Sequence, residues 1–62
     1  MYLPNNEQML LSVINTALRD RYSSLSALCD EEDVCEQDIT AKLNSIGYYY
    51  NQQLNAFICK KD

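Results

Sequence analysis

Residues 28–48 read LCDEEDVCEQDITAKLNSIGY, and the spacing of apolar residues in this stretch decides the fold. Successive intervals of six, five, four and three residues separate Leu28, Val34, Ile39, Leu43 and Ile46. The last two intervals place one apolar stripe along a helix, which we predict over residues 36–46. Gly47 then ends that helix as the residue after its C-cap, where a left-handed backbone is common. The stretch therefore predicts two helices joined by a short turn.

The helix before this turn is predicted over residues 25–32. Ser23 or Ser24 can cap it, because a serine side chain accepts a hydrogen bond from the first-turn backbone. The residues that face inward at helical spacing are Leu25, Leu28 and Cys29. Acidic residues occupy its C-terminal end, where the helix dipole disfavours them. We therefore expect a short helix that passes quickly into the turn.

A longer helix is predicted further upstream, over residues 6–22. Asn5 is the predicted N-cap, with Gln8 as its capping-box partner. The apolar residues of this helix span an arc of about 220° at 100° per residue, which is wider than the stripe of a typical surface helix. Either the rest of the domain wraps this helix, or one flank is a surface for self-association. The candidate flank for self-association is either Met9 with Val13 or Leu11 with Tyr22.

A β-hairpin is predicted over residues 48–59, because aromatic and β-branched residues flank a polar, turn-like segment. A lone hairpin is not stable in water, so it has to pack on the helices. We expect Tyr48, Tyr50 and Phe57 to face inward and Tyr49 to face outward. The predicted fold is mainly α with a small β-hairpin (α+β), in one domain over residues 1–62. Its three helices form a helix-turn-helix arrangement with a C-terminal two-stranded wing.

The cysteine and histidine content argues against a metal centre or an active site. The chain has three cysteines and no histidine, whereas structural zinc usually takes four Cys or His ligands. We expect Cys29 and Cys59 to be buried as small hydrophobic residues. Cys35 is predicted at the N-cap of the third helix and more exposed, with its thiolate favoured there, although no base or resolving cysteine lies near it in sequence. We expect no enzyme activity, no metal and no cofactor.

The charge and the apolar pattern of the chain limit the locations and the partners that we expect. Five basic and nine acidic residues give the 62-residue chain a net charge of −4. Proteins that bind nucleic acid usually carry a basic patch, because contacts to phosphates supply much of the affinity. No segment has the pattern of a signal peptide, and the longest apolar run is too short to span a membrane. We therefore expect a cytoplasmic protein that is not bound to a membrane.

The spacing over residues 24–59 resembles the winged helix-turn-helix of bacterial repressors. That pattern places a leucine on the first helix of the motif, a valine in the turn and an apolar stripe on the recognition helix. Gly47 and Tyr48 then stand where the chain would enter the wing. Asp33 occupies a turn position that is often glycine, and aspartate tolerates a left-handed backbone better than most residues.

A second resemblance extends along the whole chain. The residues that carry it are Leu3-Pro4-Asn5, Met9-Leu10-Leu11-Ser12, Asn15, Leu18-Arg19-Asp20, Tyr22-Ser23-Ser24-Leu25, Leu28-Cys29, Lys42-Leu43, Ser45-Ile46-Gly47-Tyr48, Tyr50, Asn55 and Phe57. They resemble a family of short bacterial proteins known as domain of unknown function 4250. The resemblance implies a stand-alone cytoplasmic protein without catalytic residues or a cofactor. Cys35 departs from the acidic or polar N-cap that is usual in that family.

Two classes of function follow from these patterns. The first is a protein-interaction or structural module, with a protein partner or a second copy bound as a homodimer. The second is DNA binding through the third helix, supported by few cations and opposed by the acidic turn. The candidate interaction face of the third helix and the wing comprises Gln37, Thr40, Ala41, Asn44, Ser45 and Tyr49.

Overall fold

The computed structural model describes residues 2–59, which form three helices followed by a two-stranded hairpin. In chain order the elements are α1 (Glu7–Asp20), α2 (Leu25–Glu32), α3 (Glu36–Asn44), β1 (Tyr48–Asn51) and β2 (Ala56–Cys59). The two strands pair antiparallel. This arrangement confirms the predicted α+β class and the predicted order of elements.

The first helix, α1, is shorter than the predicted range of 6–22. Asn6 caps it, because its side chain accepts a hydrogen bond from the backbone N–H of Met9 at 3.1 Å. The prediction that Asn5 is the N-cap is therefore wrong by one residue. At the other end, the Ala17 carbonyl accepts from the N–H groups of both Arg21 and Tyr22, which closes the helix after Asp20.

The second helix, α2, has the predicted bounds because each end carries a residue suited to it. Ser24 is the N-cap, and its hydroxyl accepts a hydrogen bond from the Ala27 N–H at 3.0 Å. Asp33 ends the helix with φ 55° and ψ 49°, in the left-handed region that aspartate tolerates. Val34 then bonds back to the Cys29 carbonyl, which begins the turn toward α3.

The third helix, α3, ends two residues earlier than predicted. Cys35 is its N-cap and makes no side-chain capping bond, as a thiol is a poor cap. After Asn44 the chain tightens, since Ile46 and Gly47 bond to carbonyls three residues back rather than four. Gly47 follows this tight turn with φ +83°, which sends the chain into β1.

The hairpin has one face toward the helices and one face outward. Tyr50 lies opposite Phe57 and Tyr49 lies opposite Ile58, so each pair shares a face. Phe57 is buried and Tyr49 is exposed, which confirms the predicted orientation of the hairpin. Cys59, predicted to be buried, is exposed. It shares the inner face with Phe57 but lies at the end of β2, past the core cluster.

The core lies where the three helices meet the inner face of the hairpin. Its members are Leu10, Ile14, Ala17, Leu18, Leu25, Leu28, Cys29, Ile39, Leu43 and Phe57. Val34 and Ile46, the other residues of the diagnostic spacing, are partly buried and pack against this cluster. Cys29 is buried as predicted. The apolar spacing over residues 28–48 therefore reflects the packing of these residues in and against the core.

The backbone at Gly47 gives a test of this fold. Replacing Gly47 with alanine meets no atom within 4 Å, so strain at φ +83° is the main expected cost. We expect Gly47→Ala to lower the free energy of unfolding by about 1–2 kcal/mol in urea titrations. Gly47→Asn is the matched control and should lose less, because asparagine visits this region more readily. Equal stability of Gly47→Ala and wild type would contradict this backbone.

Candidate interaction surface

The predicted face of α3 is exposed only in part. Gln37, Ala41 and Ser45 are exposed, whereas Thr40 and Asn44 are half-buried. The Ser45 hydroxyl donates to the Lys42 carbonyl at 2.5 Å. Gln37 and Ser45 are therefore more accessible to a partner than Thr40 and Asn44 are.

The side chain of Asn44 joins α3 to the hairpin. With its amide nitrogen turned toward them, Asn44 donates to the carbonyl oxygens of Thr40 at 3.2 Å and Tyr48 at 2.8 Å. This is the amide orientation in which donors meet acceptors. Because both amide hydrogens are used, Asn44 has no donor left with which to read an adenine edge.

The charges around the turn between α2 and α3 are negative. The exposed carboxylates there belong to Asp30, Glu31, Asp33, Glu36 and Asp38. Phosphate contacts require cations, and carboxylates at the start of α3 would repel a DNA backbone. The arrangement is electrostatically unfavourable for nucleic acid at this end of α3.

The cations of the described residues are mostly paired. Arg19 lies 2.9 Å from the carboxylate of Asp20, and Arg21 lies 3.2 Å from that of Glu32. Lys42 is the remaining cation within residues 2–59. Lys60 and Lys61, considered as supporting cations at the end of the wing, lie outside the described residues.

The two flanks of α1 differ in exposure. Met9 is 59% exposed, and Val13 is half-buried on the same side. Leu11 and Tyr22 are half-buried and pack against the core cluster. Of the four residues predicted for self-association, Met9 thus presents the most apolar surface. Association through this helix stays a prediction.

Tyr22 also takes part in a polar cluster that links the ends of α1 and α2. Its hydroxyl donates to a carboxylate oxygen of Glu32, and the Arg21 guanidinium lies 5.3 Å from the centre of the Tyr22 ring. The hydrogen bond lowers the pKa of Glu32 and raises the pKa of Tyr22 from their ordinary values. Each group is thereby stabilised in its neutral-pH form, with Glu32 ionised and Tyr22 protonated.

Asn15 anchors the outer edge of β2 to α1. Its side-chain nitrogen donates to the Phe57 carbonyl at 3.0 Å, and its oxygen accepts from the Phe57 N–H at 2.8 Å. A carboxamide has the donor and acceptor of a peptide group. Asn15 therefore makes the two bonds that a third strand would make with Phe57.

Asn55 forms a second anchor, at the end of the hairpin loop. Its amide nitrogen donates to the carbonyls of Leu18 at 3.0 Å and Tyr22 at 2.9 Å. Its amide oxygen accepts from the Tyr50 hydroxyl at 2.7 Å, and that hydroxyl accepts from the Leu25 N–H at 3.2 Å. This chain of bonds satisfies polar groups at the end of α1 and the start of α2, which helices leave unpaired.

Sequence reasoning assigned no role to either asparagine. Both were among the residues that carry the resemblance to a family, and each has a backbone position that is unusual for most residues of its kind. Asn15 lies within a helix, where asparagine is a weak former. Asn55 has φ 52°, which asparagine adopts more readily than most residues.

An open cleft of about 500 Å³ lies between α1 and the tip of the hairpin, with Ser12, Thr16, Arg19 and Leu54 among its lining residues. Asn15 and Asn55 also line it, and their amides already bond to the backbone. Within residues 2–59, no buried side-chain nitrogen or oxygen lacks a hydrogen bond. The cleft therefore offers no unsatisfied buried group to orient a small molecule.

Metal ligands do not cluster in the described part of the chain. Among residues 2–59, no group of three Cys, His, Asp or Glu residues is placed to hold an ion. Cys29, Cys35 and Cys59 are free thiols, and burial raises the pKa of Cys29. A separate finding is that no described helix is both long enough and apolar enough to cross a membrane.

The outer face of the hairpin is an exposed apolar surface. Tyr49 is 42% exposed and lies directly opposite Ile58, which is 37% exposed. Leu54, in the loop between the strands, is 65% exposed and lines the cleft beside α1. We call Tyr49 and Ile58 the hairpin patch.

Three helices, an antiparallel hairpin and two asparagine anchors define a small α+β domain. The model of a domain of unknown function family (DUF4250) matches residues 4–57. The chain therefore belongs to the domain of unknown function 4250 family. No curated protein and no solved structure matches it.

The anchor at Asn15 can be tested by stability. Asn15→Ala leaves the Phe57 backbone groups without their partners, which we expect to lower the free energy of unfolding by about 1–3 kcal/mol. This loss should occur although alanine is the better helix former. Thr16→Ala, at the next and exposed position, is the matched control and should stay within about 0.5 kcal/mol of wild type. A stabilising Asn15→Ala substitution would refute the anchor.

The pair of Tyr22 and Glu32 predicts a pH dependence. Because folding lowers the pKa of Glu32 from its ordinary value of 4.5, this residue stabilises the fold above pH 4.5. The stabilisation is lost as the pH falls through the pKa of Glu32 in the folded state. Because folding raises the pKa of Tyr22 from its ordinary value of 10.0, this residue stabilises the fold below pH 10.0. The stabilisation is lost as the pH rises through the pKa of Tyr22 in the folded state. Tyr22→Phe should reduce both dependences in urea titrations across pH. Tyr2→Phe, at a residue that is 82% exposed, should change neither. Matching pH profiles for Tyr22→Phe and wild type would disprove the coupling.

Proposed function

We propose that this chain is a non-enzymatic protein-interaction module on a miniature winged helix-turn-helix frame, in a bacterial cytoplasm. The observation that carries the proposal is the hairpin patch. Tyrosine is enriched at protein interfaces, whereas charged residues are depleted at their cores. The patch combines an exposed tyrosine with an isoleucine directly opposite it and lies on the element that would be the wing.

Electrostatics support protein over nucleic acid as the partner. The start of α3, which would meet the DNA major groove in a helix-turn-helix protein, is surrounded by exposed carboxylates. Arg19 and Arg21 are each paired with a carboxylate. Binding to phosphates would have to break these pairs and overcome the net charge of −4.

The cytoplasmic location is supported by the thiols. Cys29, Cys35 and Cys59 are all free, and unpaired cysteines fit a reducing compartment. The bacterial source is what the family resemblance implies. The absence of enzyme activity is part of the same proposal, since the sequence has no histidine and no buried side-chain nitrogen or oxygen within residues 2–59 lacks a hydrogen bond.

DNA binding through α3 is the second candidate. It is favoured by the order of elements, because an exposed helix face with Gln37 is followed by a hairpin in the position of a wing. Glutamine can bond an adenine edge in the major groove. Asn44, seven residues further along α3, donates instead to the carbonyls of Thr40 and Tyr48 within the chain.

Fluorescence anisotropy separates the two candidates. We expect no binding of a labelled random-sequence duplex at about 50 mM NaCl and tens of micromolar protein. A basic winged-helix domain of known DNA affinity is the positive control for the probe. Binding that weakens steeply as salt is added would overturn the proposal and establish phosphate contacts.

A further inference from the structure

We draw no further inference here: the strongest candidate, the outer edge of β1 at Tyr50, carries none, because nothing in the structure shows what covers it.

Discussion

The structure depends on holding a two-stranded hairpin against a helix that is only 14 residues long. Two strands alone do not bury enough surface to be stable in water. Phe57 supplies an apolar anchor in the core, and Asn15 fixes the backbone of that same residue to α1. One residue of β2 is thus held by its side chain and by both backbone polar groups. Hydrogen bonds of this kind specify the register, since a shift by one residue would reverse the faces of the strand.

The second anchor connects this hairpin to the helical part of the domain. The Asn55 side chain donates a hydrogen bond to a carbonyl at the end of α1. The Tyr50 hydroxyl donates to Asn55 and accepts from the first N–H of α2. The arrangement leaves the opposite face of the hairpin outside. Half-buried asparagines and an exposed, uncharged outer face are therefore two results of the same docking. Within residues 2–59 the acidic residues lie on the helices and in the turn after α2, and none lies on the hairpin.

The elements could be predicted from sequence where one residue determines a boundary. Asp33 ends α2, and the spacing from Leu28 to Ile46 identified the core, whereas the sequence left the cap of α2 open between Ser23 and Ser24 and the structure has Ser24. Boundaries were less accurate where neighbours compete: Asn5 and Asn6 are equally good caps, and the backbone selects Asn6. The burial of Cys59 was wrong because alternation gives its face but does not say how far the helices extend over it. The roles of Asn15 and Asn55 depend on contacts across 42 and 37 residues, which no local pattern encodes.

Asn15 holds the β2 backbone at Phe57, and hydrogen exchange of the Phe57 amide, measured by NMR, tests this contact. That amide lies on the outer edge of a two-stranded sheet, so its hydrogen-bond acceptor is the Asn15 side chain and not a neighbouring strand. The structure predicts exchange at least about a hundredfold slower than for an unstructured chain, because opening requires the hairpin to leave α1. Exchange of Phe57 at the rate of an unprotected amide, in a chain whose α1 amides remain protected, would show that Asn15 does not hold this backbone.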